Sequence, residues 1–112
     1  MMTDKKLTKE QFDEKLLQVV KIGIKTWERR RIIIKNDMNF SVKTYERVPE
    51  ESGMVCGVCS KQGVPDPLNL SHVFKTINEA GATGNKQLLI DAIDAGLVDT
   101  RKKVKEVFGV DL

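Results

Sequence analysis

Aromatic side chains are scarce in this chain: one tryptophan, one tyrosine and four phenylalanines among 112 residues. Platforms for single-stranded nucleic acid interleave many stacking rings with basic residues, so that mode of binding is disfavoured. Histidine occurs once, at His72, and cysteine twice, at Cys56 and Cys59. With a single imidazole, and no serine or cysteine beside a recognisable base and orienter, the chain lacks a nucleophilic or general acid–base signature. A non-enzymatic protein is expected. Two cysteines are too few for a disulfide scaffold. Long apolar runs are also missing: Ile32-Ile33-Ile34 falls far short of the ~20 residues that cross a bilayer. The Lys-rich start is followed by no apolar stretch of the signal-peptide kind. A cytoplasmic protein without membrane association is expected.

The composition that is present, 40% hydrophobic and 31% charged, suits one domain over 1–112 with a modest core and a flexible N-terminus over 1–6. Net charge is only +3, but its distribution is uneven. Between Lys15 and Arg47 there are nine basic residues against three acids. Arg29, Arg30, Arg31, Lys35, Lys43 and Arg47 form the densest part, a candidate strip for an acidic protein surface or for phosphates.

Thr8, followed three residues later by Gln11, is a capping box, with Leu7 and Phe12 placed as a hydrophobic staple. Phe12, Leu16, Val19, Val20, Gly23 and Trp27 then recur at helical spacing, which predicts a helix of about five turns. The three isoleucines favour a strand, Asn36-Asp37 a tight turn, and Met38, Phe40 and Val42 alternate with polar residues. A β-hairpin over 30–35 and 38–46 is therefore expected. The competing reading continues the helix through Ile34.

Past the loop "VPEESG", the cysteines and "GVPDP", Asp66 and Pro67 are suited to open a helix. Leu70, Val73, Phe74 and Ile77 supply its apolar face, and Gly81 its end. Asn85 caps a second helix carrying Leu88, Leu89, Ala92 and Ile93, with Gly96 as its left-handed end. Asp99 or Thr100 starts a third, with Val104, Val107 and Phe108, closed by Gly109. The expected fold is thus α+β: a long N-terminal helix, a β-hairpin, a Cys-x-x-Cys loop and a C-terminal three-helix unit. The last two helices share some spacing with a helix-turn-helix and crowd Arg101, Lys102, Lys103 and Lys105 together. "GATGNK" lacks the spacing of a phosphate loop.

The pair in "VCGVCSK" has the spacing at which two thiolates converge on Zn²⁺, and His72 follows Cys59 after twelve residues. The segment is similar to the knuckle of a two-Cys two-His zinc finger, a resemblance that covers under twenty residues. It departs from that family where Gly63 replaces the aromatic, Asn69 the leucine, and Thr76, Ile77 or Asn78 the second histidine. A complete finger is excluded. Zinc on Cys56, Cys59 and His72 stands beside a redox-active dithiol and an inert pair as readings of the motif. Four thiolates shared by two chains would make a homodimer.

The function expected from these features is that of a small regulatory or accessory protein that binds a larger protein partner through the basic strip. The alternative is a nucleic-acid-binding protein that contacts phosphates through the same strip and is stabilised by zinc.

Overall fold

The computed structural model describes residues 7–48, 63 and 67–112, and within them the chain is all-helical. Helix α1 runs over Lys9–Asn36, α2 over Ser71–Ala82 and α3 over Lys86–Phe108. α3 packs against both α1 and α2. The two outer helices meet through Trp27 and Phe74, whose ring centroids lie 6.0 Å apart. Leu16, Val20, Ile24 and Trp27 of α1, Val73, Phe74 and Ile77 of α2, and Leu89, Ile93, Leu97 and Val104 of α3 form one buried cluster.

The start of α1 follows the expected capping box. Thr8 Oγ1 accepts from the Gln11 N–H at 3.1 Å, and Gln11 Oε1 accepts from the Thr8 N–H at 3.0 Å, which satisfies two donors left over at a helix start.

The expected hairpin is corrected. Residues 30–35 belong to α1, which extends through Asn36. The buried stripe Leu16, Val20, Ile24, Trp27 continues in steps of four and three through Arg31 and Ile34, both half-buried, so tertiary contacts outweigh the β preference of three isoleucines. The Lys86 ammonium donates to the Lys35 carbonyl at 3.2 Å, placing a cation where the helix dipole is negative.

Residues 37–48 form a strap of turns rather than a strand. Met38 and Val42, expected to share a buried face with Phe40, are exposed, while Phe40 packs on the core. With 30–35 helical, the strap has no strand to pair with among the described residues, and side chains take over some of its backbone hydrogen bonds. Asp37 Oδ1 accepts from the Asn39 N–H at 2.9 Å, and Thr44 Oγ1 accepts from the Ser41 N–H at 3.0 Å.

The strap is fixed to α2 by buried Asn78. Its Oδ1 accepts from the Tyr45 hydroxyl at 2.5 Å and from the Val48 N–H at 2.9 Å, while its Nδ2 donates to the Val48 carbonyl at 2.6 Å. The Tyr45 ring lies across Gly81, where an added Cβ would stand 2.5 Å from ring carbons. Gly81 is therefore a seat for tyrosine in the last turn of α2, which ends one residue later, at Ala82.

α2 starts at Ser71 rather than near Pro67. Leu68 and Leu70 are both buried, and a helix through them would point them about 200° apart. Asn69 resolves this by taking φ 47°, a conformation that asparagine tolerates better than most residues.

The expected three-helix C-terminal unit is corrected to two helices. Asn85 caps α3 as expected, its Oδ1 accepting from the Leu88 N–H at 3.2 Å, and Gly109 closes it at φ 69°. Gly96, however, lies inside an unbroken helix. A Cβ there would stand 2.8 Å from Val73 Cγ1, so the residue serves the close approach of α2 to α3. The stripe Leu89, Ile93, Leu97, Thr100, Val104 runs through it without a phase change, which leaves no turn for a helix-turn-helix.

Candidate functional site

The expected basic strip is divided by α1 into inward and outward cations. Arg31 faces α3 and forms a two-pronged pair with Asp94, Nε to Oδ1 at 2.5 Å and Nη2 to Oδ2 at 3.1 Å. That hydrogen bonding, aided by the charges of Asp94 and Asp91 and opposed by desolvation, raises the already high pKa of the guanidinium. Arg30 lies over the Trp27 ring at 4.4 Å and donates to the Glu46 carbonyl at 3.4 Å, joining helix and strap. Both arginines are committed within the molecule.

Arg29 points the other way. It is exposed, and neither it nor Lys25, one turn earlier, has an ion pair or side-chain hydrogen bond among the described residues. Lys35 is exposed in the last turn of α1, Lys43 in a turn of the strap, and Arg47 is exposed beyond Tyr45. The strip is thus not one continuous surface of arginines.

Sequence reasoning missed the apolar members of this outer face. Ile22, Ile32 and Ile33 are 66%, 57% and 61% exposed. At about 100° per residue, Ile22, Arg29 and Ile33 fall within about 20° of one direction, with Lys25 and Ile32 beside them. The signal was legible as an i, i+7, i+11 spacing opposite the core stripe, but only if the helix is carried through Ile34. Exposed apolar residues gathered on one face, unlike single scattered ones, mark an interaction surface.

At its C-terminal end this face opens into a groove of about 250 Å³ between α1 and the strap, lined by Arg30, Ile33, Ile34, Asp37, Phe40, Thr44, Tyr45 and Glu46. Its apolar members are Ile33, Ile34 and Phe40 together with the Tyr45 ring. Burial raises the Tyr45 hydroxyl above its ordinary pKa, against the opposing charges of Arg30 and Arg47. The groove combines these apolar walls with the charged Arg30, Asp37 and Glu46, a mixture suited to a partner's side chain.

Of the expected zinc ligands, Cys56 and Cys59 lie outside the described residues, and His72 is exposed in the first turn of α2. Among the described residues, no three His, Cys, Asp or Glu side chains converge as a metal site. No described helix is long and apolar enough to cross a membrane.

Comparison with protein-family models, with curated proteins and with solved structures finds no match for this chain.

Proposed function

We propose that this chain is a small, non-enzymatic, cytoplasmic accessory protein that docks on a larger protein through the outer face of the C-terminal half of α1. The observation that carries the reading is the mixture on that face: exposed Ile22, Ile32 and Ile33 interleaved with uncommitted Lys25 and Arg29. Apolar anchors ringed by cations suit a protein surface, where burial supplies affinity and charge supplies orientation. A phosphate backbone rewards cations and gains little from isoleucines. Two of the three consecutive arginines are, moreover, held by Asp94 and by Trp27 and Glu46.

A photo-cross-linking residue placed at position 33 tests this in cells, with position 98, exposed on α3, as control. The expected result is a protein adduct specific to position 33. Equal labelling from both positions, or adducts with nucleic acid alone, would refute the proposal.

A further inference from the structure

The outer face of α1 and the adjoining groove share Ile33, which is exposed on the helix and lines the pocket. From Ile33, Arg29 lies one turn and Lys25 two turns back, about 6 Å and 12 Å along the axis. A segment lying along α1 with a bulky side chain in the groove therefore passes two uncommitted cations at regular helical intervals.

Resting on the reading of this face as a docking surface, we propose that its occupant is an acidic amphipathic helix. That helix seats one bulky apolar residue in the groove between α1 and the strap and carries carboxylates four and eight residues from it, facing Arg29 and Lys25. Charge complementarity selects this occupant. Lys25 and Arg29 are exposed beside Ile22 and Ile33, with Lys21 flanking them, and the one exposed acid of this stretch of α1, Glu28, is paired with Arg101 at 3.1 Å. A second copy of the chain fits poorly, because two-fold pairing on Ile22 and Ile33 brings Lys25 and Arg29 of one copy against the same cations of the other, with like-charge repulsion.

The groove suits an apolar side chain rather than a further carboxylate. Its lining includes Asp37 and Glu46, and Arg30, its one cation, is already over Trp27. A carboxylate entering there would meet two acids, whereas an aromatic or leucine side chain would cover Ile33, Ile34 and Phe40.

The test uses the full chain and a synthetic helical peptide bearing one Phe with Glu four and eight residues away on the same face, titrated by fluorescence anisotropy. Two control peptides replace both Glu by Lys, or Phe by Ala. The expected result is binding of the Glu peptide, weakened at least about tenfold by either replacement and by Arg29→Glu. The Lys25→Glu, Arg29→Glu chain should in turn prefer the Lys peptide, a reversal that a general loss of folding cannot produce. Equal affinity for Glu and Lys peptides, or no binding of the Glu peptide, overturns the proposal. If a single-stranded oligonucleotide binds more tightly than the peptide and is lost on Arg29→Glu, the face reads phosphate and the proposal likewise fails. Should the peptide fail while position 33 still cross-links to a protein, the acidic-helix class falls and docking at this face stands; if the cross-link fails as well, both fall.

Discussion

Arg31 and Asp94, 63 residues apart in sequence, meet through both arms of the guanidinium and tie the last third of α1 to the middle of α3. This pair turns one of three consecutive arginines toward α3 and leaves Arg29 on the outer face with Ile22 and Ile33.

Because the pair is partly exposed, with side-chain exposures of 30% and 47%, its contribution is modest and screened by salt. Asp94→Ala is expected to lower the melting temperature at low ionic strength by more than it does at high ionic strength. Partner capture at position 33 should persist. Thermal denaturation at two salt concentrations, alongside the cross-link, checks both.

Asn78 serves three polar groups of the strap at once. Asn78→Ala strands the Tyr45 hydroxyl and both polar groups of the Val48 backbone, at an expected cost of about 2–3 kcal/mol, against about 1 kcal/mol for Tyr45→Phe. In the double variant the losses should not add, since both remove the same bond. The raised pKa of Tyr45 means that the folded state holds this proton more tightly than the unfolded state. Its stabilising contribution is present below the ordinary tyrosine pKa of 10.0 and is lost as pH rises through the folded value. Urea titrations above and below that range should show a steeper alkaline loss in the parent chain than in Tyr45→Phe.

Gly96→Ala opposes two effects. Alanine gains about 1 kcal/mol of helix propensity, but its Cβ would stand 2.8 Å from Val73 Cγ1, on a stiff, branched side chain, where overpacking costs about 1–3 kcal/mol. A net destabilisation is expected. In a Val73→Ala background the clash disappears, and the same change should become neutral or stabilising, as denaturant midpoints would show.

What the sequence made legible, and what it hid, divides along the range of the interaction. The Thr8–Gln11 box, the Asn85 cap and Gly109 are local devices, fixed within four residues, and each lies where the spacing placed it. Residues 30–48 are decided by contacts between residues distant in sequence: Arg31 with Asp94, Tyr45 and Val48 with Asn78, Arg30 with Glu46. Local β preference therefore misled, and it hid the outer face as well, because isoleucines assigned to a strand could not be seen to share a helix face with Arg29. Gly96 reads as a stop in the sequence because a glycine that ends a helix and one that admits a neighbouring helix look alike until the neighbour is known.

Thr8→Ala is expected to cost about 1 kcal/mol, and Gln11→Ala a smaller amount. The caps together hold the first turn of α1, which brings Phe12 against the core one turn before buried Leu16. Chemical denaturation measures the loss, and an unchanged midpoint would show that the first turn frays without consequence.

The most direct measurement compares two charge variants in the photo-cross-linking assay at position 33, after circular dichroism has shown both to be folded. Lys25→Glu, Arg29→Glu is expected to lose the protein adduct, while Arg31→Ala, which removes a charge turned toward α3, is expected to retain it. Loss of the adduct in Arg31→Ala with retention in the outer-face variant would contradict the division of the strip on which the proposed function rests.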